Sequence, residues 1–186
     1  MITSAERVIE VNNASPQESA NRAYGLAEGA SNTKSTNGAG VPSTQSSVVL
    51  RVATLHDLAS LQHIEQTCFT TDRLSKSRFK FYIDAQHAEL IVAEREPSTS
   101  SSNLDKNKPS VNSIVGYGLL LLRRGTQLTR LYSIAVLPEA RGLGVAEKLI
   151  NSLGERALLR GKRFMRLEVA VGNAGAIALY KKLGFT

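Results

Sequence analysis

The chain has no tryptophan, one cysteine and two methionines among its 186 residues. A lone thiol, Cys68, excludes an internal disulfide and any zinc site built from several cysteines. It reads as a small residue on a helix face, since no companion base stands at a suggestive spacing. Aromatic residues make up 5% and are not interleaved with basic ones, so a base-stacking nucleic-acid surface is not indicated. No apolar run approaches the ~20 residues of a membrane-spanning helix. The N-terminus lacks the basic start and apolar stretch of a secretory signal. These absences give the expectations of no membrane partner, no metal and a cytoplasmic location.

What is present suits one globular domain with a real core: 42% of residues are hydrophobic. The net charge is +7, and it is uneven. Residues 1–50 hold three basic and four acidic side chains, leaving 20 basic against 12 acidic in the rest. A basic excess can attract nucleic acid, an acidic acceptor or a phosphorylated ligand. No nucleic-acid motif accompanies it.

Residues 1–47 read as a disordered leader. Ser, Thr, Asn and Gly fill 21 of those 47 positions, and the apolar residues keep no period. Such a segment buries too little surface to offset its ordering entropy. The short run Arg7 to Val11 has strand character but is left in the leader. The domain is expected over 48–186, opening with the strand Val48 to Val52. Thr54 reads as a helix N-cap with Asp57 three residues on. Leu55, Leu58, Leu61 and Ile64 then form an apolar stripe at helical spacing, with His56 and His63 off it. A second helix follows Ser75, its inner face carrying Phe79, Tyr82 and Ile83. Strands are expected within 89–94, over 114–122 and over 128–136, with a long polar hairpin loop over 96–112. A helix from Val145 to Arg160, a strand from Arg163 to Val171 and a helix from Ala174 to Leu183 complete the order β-α-α-β-β-β-α-β-α. The last βαβ unit should be a right-handed parallel crossover.

Between the strand ending at Val136 and the helix starting at Val145 stands Arg141-Gly142-Leu143-Gly144-Val145-Ala146. Glycines let a backbone approach an anion closely, and the first helical turn offers unpaired N–H groups at the positive end of the dipole. A strand, a glycine turn and a helix in that order make a phosphate cradle.

These segments, from roughly Val49 to Phe185, resemble the GNAT superfamily of N-acetyltransferases. Arg141, Gly144 and Ala146 fill its signature of Gln or Arg, two residues, Gly, one residue, then Gly or Ala. Tyr132-Ser133-Ile134-Ala135-Val136 precedes it, with Pro138, and Asn173-Ala174-Gly175-Ala176-Ile177-Ala178-Leu179-Tyr180 follows, ending in Leu183-Gly184-Phe185. The resemblance implies an α/β fold with a mixed central sheet flanked by helices, and acetyl-CoA as co-substrate. It implies that Ile134, Ala135 and Val136 pair with pantetheine through their backbone. Gly142, Leu143, Gly144, Val145, Ala146 and Glu147 would wrap the pyrophosphate behind Arg141, and Asn173 would bond the pantetheine arm. Glu147 suits the helix dipole rather than a nearby anion, so its side chain is expected to point away.

Leu167-Glu168-Val169, Asn173 and Ala176 to Tyr180 look most like bacterial ribosomal-protein-alanine N-acetyltransferases. That likeness implies Glu168 as general base, Tyr180 as general acid and a protein N-terminal α-amine as acceptor. Acetylation of a small amine, or a CoA-binding regulatory module without turnover, are the alternatives. Two departures shape further expectations. The segment Cys68 to Ser75 lacks the proline–tryptophan signature of the alanine-acetylating enzymes, in a loop that helps shape the acceptor pocket. The terminal strands of the family are missing after Thr186, so the strand from Arg163 to Val171 should have an open edge. That edge would admit a homodimer, and the ending suggests truncation, with a further C-terminal domain in a longer form.

Overall fold

The computed structural model describes residues 7–12, 47–96 and 113–186, with the backbone alone for 7–12. Six strands form one sheet: β1 (Arg7–Asn12), β2 (Val48–Val52), β3 (Ala88–Arg95), β4 (Ile114–Leu122), β5 (Leu128–Val136) and β6 (Phe164–Val169). Their spatial order is β1-β6-β5-β4-β3-β2. Only β5 and β6 run parallel; every other neighbouring pair is antiparallel. Helices α1 (Leu58–Cys68) and α2 (Lys76–Asp84) cover one face, and α3 (Val145–Leu159) and α4 (Ala174–Lys182) the other. Among the described residues no helix is long and apolar enough to cross a membrane.

The central strand shows why the sheet carries helices on both faces. In β4 every residue but Leu121 is buried, which requires cover above and below. On one face α3 sets Val145, Leu149, Ile150, Leu153 and Ala157 at helical spacing into a core with Leu120, Leu131 and Leu167. Gly118 permits the approach: a Cβ there would lie 2.8 Å from Leu153 Cδ1. On the other face Leu61 and Ile64 of α1 pack with Phe79 of α2 and Tyr117 of β4. The Phe79 and Tyr117 rings meet edge to face at 5.3 Å.

From Val48 on, the element order follows the sequence reading, with shifts at the ends. Leu55 is 46% exposed because residues Leu55–Asp57 form a 3₁₀ turn rather than the first turn of α1. Asp57 draws that turn together: it accepts the Thr54 N–H at 2.7 Å and a two-pronged pair from Arg51 at 2.7 and 2.8 Å. His56 and His63 are exposed, as expected of residues off the stripe.

The expected open edge on β6 is corrected. Strand β1 lies antiparallel along all of β6, from Arg7↔Val169 to Asn12↔Phe164. Residues 7–12 therefore leave the disordered leader in which the sequence reading placed them. The reason is that β6 presents unpaired N–H and C=O groups on its outer side, and Arg-Val-Ile-Glu-Val-Asn is a segment able to pair with them. The rest of the leader and nearly all of the expected loop, 97–112, lie outside the described residues.

Candidate active site

The site begins where two parallel strands separate. The pairing of β5 with β6 runs from Leu128↔Phe164 to Leu131↔Leu167 and stops. Across β5, the register with β4 slips by one at Tyr132, since Leu119 faces Ser133 while Leu120 faces Leu131. Such a bulge bends the strand, and here the bend opens a gap between Tyr132–Val136 and the end of β6. Leu137 donates its N–H to Val115 at 2.9 Å. Alternation along the strand then turns the amide and carbonyl of Ala135 toward Tyr117 of β4, and those of Ile134 and Val136 toward the gap. Two of the three expected pantetheine contacts therefore face the gap through their backbone, and Ala135 does not. The Val136 carbonyl accepts from Arg141 Nε at 3.3 Å and from Cys68 Sγ at 3.5 Å. Burial pushes the Cys68 thiol up against the opposing pull of Arg141, so it is a poor nucleophile at neutral pH.

Past β5, Pro138–Ala140 form a 3₁₀ turn and the glycine segment leads into α3. Gly142 and Gly144 have φ of 76° and 72°, left-handed backbone that β-carbon-bearing residues avoid. No heavy atom lies within 4 Å of where a Cβ would stand on either, so this side of the turn is open. The helix's first bond to Gly144 is the Lys148 N–H at 3.0 Å. The earlier N–H groups of the turn are thus left for a ligand, as an anion at a helix start requires. The Val145 side chain is buried in the core, which leaves its backbone to the turn, and the Leu143 side chain is exposed. Ala146 is half-buried. Glu147 points away, paired with Lys182 of α4 at 2.8 Å. The chain's donors fit a pyrophosphate at this turn.

Asn173 caps α4, its Oδ1 accepting the Ala176 N–H at 3.1 Å. Its side chain remains exposed, with the amide NH₂ not used in that bond. Tyr180 lies in the α3–α4 core with its ring 5.6 Å from Phe185. Burial pushes its phenol up.

Glu168 stands on the opposite face. Met165, Leu167 and Val169 join the α3–α4 core, so alternation puts Arg166 and Glu168 on the α1–α2 side. Glu168 is one residue past the last β5 contact. Its Oε2 accepts from Arg130 Nη2 at 2.7 Å, with 27% of the Glu168 side chain and 39% of the Arg130 side chain exposed. The Arg130 guanidinium carbon lies 5.6 Å from the Tyr132 ring centre. Tyr132 in turn is 5.9 Å from Tyr82 of α2, whose hydroxyl accepts from Arg78 at 3.4 Å. Of the two residues expected to be catalytic, Glu168 thus stands on the α1–α2 side where β6 leaves β5, and Tyr180 lies in the core of the other face.

Beneath this surface runs a buried chain that the sequence reading missed. Glu65 of α1, 2% exposed, accepts the Leu74 N–H at 2.7 Å and a short hydrogen bond from Tyr117. Tyr117 bonds Ser133 of β5 at 2.6 Å. Burial and Glu65 push the Tyr117 phenol far above its ordinary range, so it stays a donor. This chain ties the loop after α1 to the bent part of β5. Glu65 sits beside Ile64 on the buried side of α1, and no periodicity marks a carboxylate there as internal. Arg130, Tyr132, Tyr82 and Arg78 were missed as a group because their meeting depends on strand register.

Comparison with known proteins agrees with this fold. The family model described as "Acetyltransferase (GNAT) family" matches residues 58–185. A Bacillus subtilis protein named for ribosomal protein bS18-alanine N-acetylation is 28% identical over 131 residues, covering 70% of this chain and 75% of the relative. A thialysine N-epsilon-acetyltransferase of Sus scrofa is 40% identical over 100 residues, 52% of each chain. The chain spans between 26% and 75% of the length of such curated relatives. In fold it is similar to the PaiA N-acetyltransferase of Thermoplasma acidophilum, solved in complex with coenzyme A. The TM-score is 0.60 at 15% identity, over 75% of this chain and 90% of that one.

Proposed function

The chain belongs to the GNAT family of acetyltransferases, and from that premise we propose that it moves an acetyl group from acetyl-CoA to a protein N-terminal α-amine. The observation carrying the proposal is the position of Glu168, about a quarter exposed at the point where β6 leaves β5. An amine at neutral pH is mostly protonated and cannot attack a thioester. Glu168 takes that proton, directly or through one water. The amine nitrogen then bonds the carbonyl carbon. The oxygen gains charge, which the Val136 N–H in the gap stabilises. The carbon–sulfur bond breaks, and the leaving sulfur receives a proton from Tyr180. The nitrogen gives up its second proton as the amide forms, which restores the Tyr180 phenol, and Glu168 passes its proton to solvent; the products are the acetylated amine and CoA with a free thiol. Burial keeps Tyr180 protonated at neutral pH, as an acid must be.

Support for the α-amine comes from the Bacillus subtilis relative, whose name gives an alanine in a ribosomal protein as its acceptor. The thialysine relative favours a second reading, a small molecule carrying an ε-type amine. Thiol release from acetyl-CoA, measured on short N-terminal peptides and on free amines, separates the two. Glu168→Gln and Tyr180→Phe should each lower turnover about 10²–10⁴-fold, with acetyl-CoA affinity nearly unchanged by calorimetry. Wild-type turnover in Glu168→Gln at saturating acetyl-CoA would place the base elsewhere.

A further inference from the structure

We propose that Arg130 and Arg78, on the two sides of the Tyr132–Tyr82 pair, form a subsite beside Glu168 for a carboxylate carried by the acceptor itself. The inference rests on the placing of Glu168 at the reacting amine. From Glu168 the α1–α2 face presents, in sequence, Arg130 at 2.7 Å, Tyr132 with its ring 5.6 Å from that guanidinium, Tyr82 a further 5.9 Å on, and Arg78 on the Tyr82 hydroxyl. An extended peptide advances about 3.3–3.6 Å per residue. The side chain of its second or third residue therefore falls along this row when its amine is at Glu168.

The hydrogen-bond inventory shows why the row should read a carboxylate. A guanidinium carries five donors. Among the described residues Arg130 makes one hydrogen bond, to Glu168, and its Nε is buried without a partner. Arg78 makes one long bond, to a phenol. Glu168 is the row's single carboxylate, against two guanidinium groups. Arg166, the register partner of Arg130 on the same face, adds positive charge beside the row. An acceptor bearing further ammonium groups would meet repulsion here. One bearing a carboxylate would meet unengaged, planar donors, those of Arg130 held near the Tyr132 ring. The same chemistry is offered by an acidic side chain in a peptide and by the α-carboxylate of a free amino acid.

The experiment measures kcat/KM of the full chain, at saturating acetyl-CoA, for C-terminally amidated peptides differing only at the second residue: Glu, Ala or Lys. Free glutamate and alanine amide form a second arm. Glu over Lys should be favoured about tenfold, as one charge-assisted pair allows, and rising salt should shrink the ratio. In Arg78→Glu the preference should invert. That variant lies on an exposed position of α2, and an unchanged melting temperature establishes that it is folded. A preference confined to free glutamate over alanine amide keeps the subsite and assigns its carboxylate to amino acids. Equal kcat/KM for the Glu and Lys peptides with no preference for free glutamate, or a Glu:Lys ratio untouched by Arg78→Glu, would overturn it. Loss of the catalytic reading is scored separately, since Glu168→Gln with wild-type turnover leaves the Glu:Lys ratio measurable.

Discussion

Asp57 shows how one carboxylate sets a local structure. Burial pushes its carboxyl up, yet the two-pronged Arg51 pair and the Thr54 N–H outweigh burial and hold it below the ordinary carboxylate value of 3.8. A group with a depressed folded pKa contributes stability above its unfolded pKa, and that contribution is lost as pH falls through the folded value. Asp57→Asn should therefore cost about 1–3 kcal/mol at neutral pH. The gap to wild type should close below about pH 4. Denaturant titrations at neutral and acid pH measure both, and a gap independent of pH would show that the ion pair is not the source.

At the scale of elements, β6 depends on strands on either side, and unequally along its length. Phe164 to Leu167 are held by β5 and β1, whereas Glu168 and Val169 pair with β1 alone. Removing residues 1–12 should loosen the part of β6 that carries Glu168, which is beyond the reach of β5. The expected outcome is a lower melting temperature and reduced turnover, with acetyl-CoA affinity retained, because the glycine turn belongs to β5 and α3. Unchanged turnover and melting temperature in the shortened chain would mean that β6 needs no partner there. The glycine turn is the contrary case: its geometry is local, set by two left-handed glycines before a helix, and it stands without help from distant strands.

For the whole molecule, the sheet divides the interior into two cores, one under α3 and α4 and one under α1 and α2. Ile150 belongs to the first and Ile64 to the second. Each Ile→Val change should cost about 0.5–1.5 kcal/mol. Because they lie in separate cores, the double variant should equal their sum within about 0.3–0.5 kcal/mol. A larger deviation in chemical denaturation would show that strain passes through β4.

The sequence by itself determined the order of elements from Val48 on, the glycine turn and the faces of the helices, because periodicity, caps and positive-φ glycines act within a few residues. Ser75 accepting from Arg78 at the start of α2 and Asn173 capping α4 are of this kind. The likeness to GNAT proteins named Glu168 and Tyr180. Only the tertiary structure decided what stands beside them. The partner of Glu168 is Arg130, 38 residues away, joined through parallel register. Glu65 reaches Tyr117 and Ser133 through packing, and the edge of β6 is filled by a segment whose own pattern is too short to declare itself. Contacts between elements depend on register and on which edges lack partners. Those are properties of the assembled sheet, and no window of sequence contains them.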